Sequence, residues 1–127
     1  MYRKPFSSLR ENRLGAVADE GSHEVVLGCF LPDESKRMDP HVSPLRATLE
    51  QLKGLPPELL ITDENEVLRD KGEAYARKLS EAGITVVSTR YNGMIHDFAM
   101  LNAVAEAPPV RAGIRQANDA LRAALHK

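Results

Sequence analysis

Two short stretches of this sequence carry side chains that could do chemistry. One is acidic, Asp63-Glu64-Asn65-Glu66, and the other holds a histidine, Asn92-Gly93-Met94-Ile95-His96-Asp97-Phe98. A carboxylate facing an imidazole fixes the ring's tautomer and stabilises its protonated form, which is the orienting pair of a hydrolytic triad. The spacing leaves a second reading open. The acids would then cap a following helix, whose N-terminus attracts negative charge, and His96 would only hydrogen-bond within its loop. What decides between the two is whether the intervening residues bring the stretches together.

Strand and helix signals around the stretches suggest that they do. After Gly54-Leu55-Pro56-Pro57, the run Glu58-Leu59-Leu60-Ile61-Thr62 has the length and apolar character of a buried parallel strand, and it ends in the acidic stretch. From Val67 to Ala82, the residues Leu68, Gly72, Tyr75, Leu79 and Ala82 recur three and four apart, on one face of a helix. Gly72 on that face leaves room for close approach to a sheet. Gly83 suits a left-handed C-terminal cap, and Ile84 to Tyr91 has the β-branched content of a second strand. Strand, helix and strand make a βαβ unit with parallel strands and a right-handed crossover. Both loops then leave the same edge of the sheet, where open α/β sheets place ligand and catalytic groups.

Outside this unit the signals are sparser. His23 to Leu31 is an apolar run ended by Pro32 and is read as a short helix. In SPLRATLEQLKG, Ser43 can cap and Pro44 suits a first helical position, which predicts a short helical turn. After Pro109, a helix from Val110 to Leu125 would place Val110, Ile114, Ala117, Leu121 and Leu125 on one face.

The composition narrows the classes of function. The chain has 127 residues, 43% hydrophobic, with 17 basic and 18 acidic side chains and a formal charge of -1. That is globular, with no clustered basic footprint for nucleic acid. No run approaches the roughly 20 apolar residues that span a bilayer, and MYRKPFSSLRENR has no apolar core for a secretory signal. A cytoplasmic protein without membrane partners is expected. Cys29, the single cysteine, is read as a small core residue. His23, His41 and His126 form no HExxH or CxxC pattern, so neither metal nor cofactor is expected. Arg69 and Asp70 are expected to cap or solvate the helix start, and Asp97 to point away from His96 and accept backbone hydrogen bonds.

The run from Asp39 to the C-terminus resembles the C-terminal part of the hormone-sensitive-lipase-like branch of the α/β-hydrolases, mostly carboxylesterases and lipases. The features agree in order: SPL, then GLPP before a strand, then ENEVLRDKG opening a helix that contains EAYA, then a strand ending in Arg90-Tyr91, then GMIHDF. The resemblance implies that Glu66 holds the place of the triad acid and His96 that of the triad histidine. The family usually has Asp at the acid position; Glu can serve there, with Asp63 and Asp70 as lesser rivals. Residues 1–38 are read as a cap-like segment and 39–127 as the hydrolase segment.

A second departure is larger. The sequence contains no G-x-S-x-G nucleophile elbow and no HGGG-type oxyanion loop, both of which precede acid and histidine in α/β-hydrolase order. Ser7, Ser8, Ser22, Ser43, Ser80 and Ser88 lack the flanking glycines that a strained elbow needs. The expectation is therefore an α/β chain that forms the C-terminal portion of an α/β-hydrolase fold and is inactive on esters when alone. Its partners would be a missing N-terminal hydrolase half, or itself as a homodimer. The alternative is a non-catalytic, homo-oligomeric interaction module derived from a hydrolase.

Overall fold

The computed structural model describes residue 31 and residues 33–126. The helix expected over His23–Leu31, and Cys29 within it, lie outside the described residues. The chain runs through α1 (Leu49–Leu52), β1 (Glu58–Asn65), α2 (Arg69–Glu81), β2 (Val86–Ile95) and α3 (Pro108–Leu125), with 3-10 turns at Glu34–Met38, Pro44–Arg46 and Asn102–Val104. β1 and β2 pair in parallel, Glu58 opposite Val86 and Leu60 opposite Ser88, as the βαβ reading expects. Among the described residues they form a two-stranded sheet. No helix among those residues is long and apolar enough to cross a membrane.

Both strands outrun their apolar runs. Asp63, Glu64 and Asn65, expected in a loop, are the end of β1, and Asn92 to Ile95 are the end of β2. The ladder between the two strands continues to Asn65 opposite Ile95, and this pairing outweighs the poor strand preference of Asp, Asn and Gly. β2 also starts at Val86 rather than Ile84, because the Ile84 amide closes the preceding helix. Its N–H donates to the Leu79 carbonyl (3.0 Å) while that of Gly83 donates to Ser80 (3.0 Å). With Gly83 at φ +86°, this is the left-handed cap that the sequence suggested.

α2 lies on one face of the sheet. Leu79 is 0% exposed and packs with Ala47, Leu52 and Ala82, ringed by Leu60, Tyr75, Ile84 and Val86. Gly72 permits this approach, since a Cβ there would stand 3.2 Å from Thr62 Cγ2. The Arg90 guanidinium donates two hydrogen bonds to Glu73 (2.6 and 2.7 Å) and ties β2 to the same helix. The turn before α1 differs in detail from expectation. Pro44 does start a 3-10 turn, but Ser43 Oγ donates to the Arg37 carbonyl (2.7 Å) instead of capping it. The capping box belongs to Thr48 and Gln51 at the head of α1.

α3 is held to β2 by a chain of side chains: Tyr91 Oη donates to Gln116 Oε1 (2.9 Å), and Gln116 Nε2 donates to Thr89 Oγ1 (2.8 Å). It starts at Pro108, two residues before the expected Val110, because prolines fit the first helical positions where no intrahelical N–H bond is made. Val110 is fully buried, but Leu121 and Leu125 on the same stripe are 59% and 78% exposed. The predicted face exists, and two strands cover only its first half.

Candidate active site

Glu66 follows the last residue of β1 and His96 follows the last residue of β2. In the regular part of the ladder Asp63 stands opposite Tyr91, an offset of 28 (91 − 63), whereas Asn65 stands opposite Ile95, an offset of 30 (95 − 65). The bulge takes up two extra residues of β2. One step beyond, Glu66 and His96 share the new register.

The two side chains meet there. His96 Nδ1 and Glu66 Oε2 are hydrogen-bonded. The other carboxylate oxygen, Oε1, accepts from the Leu68 N–H (2.9 Å) at the entrance to α2. Of the two readings left open by the spacing, the second keeps only its acid at the helix start: one Glu66 oxygen accepts from the residue preceding α2 and the other bonds the imidazole, so His96 does not bond only within its own loop. The Glu66 side chain is 9% exposed and that of His96 35% exposed. The carboxylate is thus fixed and enclosed, while the ring keeps an accessible side. With Nδ1 donating to the carboxylate, the neutral ring carries its lone pair on Nε2, the nitrogen left for proton transfer, which has the Asp97 carboxylate 3.5 Å away.

The hydrogen bond to Glu66 holds the His96 pKa above its ordinary value. Partial burial opposes this, and the negative fields of Glu66, Asp97 and Asp63 add to it. Asp63 is 6% exposed and Oδ1 has no hydrogen-bond partner; the neighbouring Thr62 Oγ1 is equally orphaned. Burial, reinforced by the charge of Glu66, pushes the Asp63 carboxyl upward. No hydrogen bond joins Asp63 to His96 among the described residues. Asp70, the other rival acid, instead accepts from Arg69 Nε (2.9 Å), which lowers its pKa.

Asp97 does not turn away as expected. Its backbone is left-handed, φ 59°, a conformation that Asp tolerates better than most residues. The turn it makes brings its carboxylate to 3.5 Å from His96 Nε2. The next residue anchors the loop: Phe98 is 6% exposed, stacks obliquely on Tyr91 (ring centroids 5.7 Å apart) and fits against Gly113 of α3. A Cβ on Gly113 would lie 3.2 Å from Phe98 Cε2. Gly113 was not singled out in the sequence, although a glycine inside a helix costs about 1 kcal/mol relative to Ala and so signals a packing reason.

The other candidates are not brought to the pair. His41 bonds Asp39 (2.8 Å) at the surface. Ser43 and Ser80 donate to backbone carbonyls of Arg37 and Ala76. Ser88 pairs across the ladder with Leu60, and Ser7, Ser8, Ser22 and His23 lie outside the described residues. No group of three or more His, Cys, Asp or Glu among the described residues is placed to hold a metal ion.

Comparisons with known proteins agree with this architecture. The family profile described as alpha/beta hydrolase fold matches residues 3–100. An arylesterase of Saccharolobus solfataricus is 44% identical over 69 residues, which is 54% of this chain and 22% of the relative. A thermostable esterase from Pseudomonas putida ECU1011 superposes with a TM-score of 0.81 at 48% identity, covering 89% of this chain and 35% of that one. Brefeldin A esterase, a bacterial homologue of human hormone-sensitive lipase, gives a TM-score of 0.71 at 27% identity, covering 76% of this chain and 27% of that one. The chain thus spans about a third or less of the length of these relatives. The paired parallel strands, the helices on them and a profile match over most of the sequence lead to one assignment: the chain belongs to the alpha/beta hydrolase fold family.

Proposed function

We propose that this chain is the acid- and histidine-bearing part of a carboxylic-ester hydrolase. In that reading Glu66 orients His96, and His96 acts first as general base on a serine hydroxyl and then as general acid toward the leaving alcohol. The single observation that carries it is the Glu66 carboxylate held between the Leu68 N–H and His96 Nδ1, which leaves Nε2 as the working nitrogen. The serine and the oxyanion donors must come from elsewhere, since the 127 residues contain neither motif. Oxyanion donors alone are worth roughly 10²–10³ in rate, so the chain by itself is expected to be inactive. Its partner would be a polypeptide carrying the nucleophile elbow, and its substrate, once complete, a small ester in the cytoplasm.

Hydrolysis of p-nitrophenyl butyrate tests this. The chain alone should show no rate above that of His96→Ala, and mixing it with a nucleophile-bearing front segment of a related esterase should produce a rate that His96→Ala abolishes. A His96-dependent rate from the chain alone would contradict the proposal.

A second reading rests on the exposed apolar residues Val87, Leu121 and Leu125. A homodimer could cover them, with the pair retained as a relic in a non-catalytic module. A dimer mass by light scattering, together with no complementation, would favour it.

A further inference from the structure

The meeting of Glu66 with His96 depends on the two-residue bulge. If the upstream offset of 28 had continued, Glu66 would stand opposite Met94, with His96 displaced by about 7 Å along the strand. A bulge leaves backbone groups without ladder partners, so something other than the ladder must hold it. Here the two residues just before Glu66 do so. Glu64 Oε2 accepts from the Gly93 N–H (2.7 Å), and Asn65 Nδ2 donates to the Met94 carbonyl (3.2 Å). Glu64 is itself fixed from α2, where Arg69 Nη1 donates to its carbonyl (2.6 Å). Gly93 supplies the left-handed turn, φ +75°, and no other heavy atom approaches the place of its missing Cβ within 4 Å. The bulge is therefore held by polar bonds and not by packing around that glycine.

We infer that Glu64 is a positioning residue for the acid–histidine pair: its carboxylate grips the Gly93 N–H and so fixes the bulge that sets His96 beside Glu66. This rests on the proposed function, because a positioning role has meaning only if the pair is the working one. Glu64 touches neither His96 nor Glu66 through a hydrogen bond, so its effect passes through the backbone. A charge-assisted bond to an amide is stronger than a neutral one, which suits a carboxylate to the task. An amide oxygen of the same reach would still accept the bond.

NMR on the full chain tests the inference. In the unaltered protein the Gly93 amide should exchange with solvent at least roughly fivefold more slowly than an unstructured glycine, the protection expected of one hydrogen bond; an unprotected Gly93 overturns the inference without any mutation. The His96 titration is then followed in Glu64→Ala, Glu64→Gln and Glu66→Gln. Glu64→Ala should lower the His96 pKa by at least half the drop that Glu66→Gln causes, with the Leu79 and Val110 methyl signals unmoved. Glu64→Gln should keep most of the parent value. A His96 unaffected by Glu64→Ala, or one affected equally by Ala and Gln, would show that the grip on Gly93 is not what positions the ring. If Glu66→Gln itself left the His96 pKa unchanged, the pair would not be assembled, and the proposed function and this inference would fall together.

Discussion

At the rim of the sheet, Glu64, Asn65 and Glu66 find their partners within a few residues of β2 and α2, whereas the apolar surfaces behind the rim are covered only in part. Val87 is 52% exposed, and Leu121 and Leu125 lie further open at the far end of α3. Among the described residues β1 has β2 as its strand neighbour and no strand on its other edge. The rim is thus built from local, directional bonds that need no further chain, and the body from area-dependent packing that a two-stranded sheet cannot complete. A short segment can therefore hold the geometry of an acid–histidine pair while apolar surface around it stays partly open among the described residues.

Mutations separate the two regions, and the body should respond most. Leu79→Ala, in the buried cluster on the α2 side, should cost about 2–5 kcal/mol in urea unfolding and take the site with it only when the whole fold is lost. Gly113→Val bridges the regions. It forces a branched side chain against Phe98, and a loss of about 1–3 kcal/mol is expected together with a lowered His96 pKa, because the same ring anchors the site loop.

Asp63 offers a change of opposite sign. Its carboxyl is raised by burial, so above that raised pKa the ionised group penalises the fold, and below its unfolded value of about 3.9 the penalty is gone. Asp63→Asn should accordingly raise the melting temperature at pH 7, with the gain vanishing near pH 3. The smallest effect belongs to the open end of α3. Leu121→Lys should change stability by less than about 0.5 kcal/mol while reducing any self-association seen by light scattering.

The difference between the regions also explains what could be read in advance. The βαβ unit was legible because its signals are local and agree: the three-and-four spacing of Leu68, Gly72, Tyr75 and Leu79, the Gly83 cap, and the β-branched run that follows. Glu66 and His96 were singled out by the resemblance of ENEVLRDKG and GMIHDF to hydrolase motifs, while spacing alone left the acids of the stretch open; the parallel strands put both stretches at one edge of the sheet. The bulge was not, since nothing in Asn92-Gly93-Met94 states that two residues must be absorbed opposite Glu64; that follows from cross-strand pairing. Asp97 was misplaced for a similar reason, because its direction depends on one left-handed dihedral angle. The exposure of Leu121 and Leu125 escaped a reading based on periodicity, which shows that a face is apolar but not how much partner there is to cover it.

The pH dependence of stability should carry the signature of the pair. His96 has a raised pKa in the folded chain. Its contribution is present in full below the unfolded value of about 6.5 and is lost as the pH rises through the folded value. The stability difference between the parent and Glu66→Gln should therefore be larger at pH 6 than at pH 9, as read by urea midpoints.

The most direct measurement is the titration of the His96 ring itself by NMR in the parent, Glu66→Asp and Glu66→Gln chains. An assembled pair gives a pKa above about 6.5 in the parent, an intermediate value with Asp, whose shorter side chain keeps the charge but not the full reach, and a return toward the ordinary value with Gln. Three identical pKa values would contradict the account and mean that Glu66 and His96 do not meet in solution.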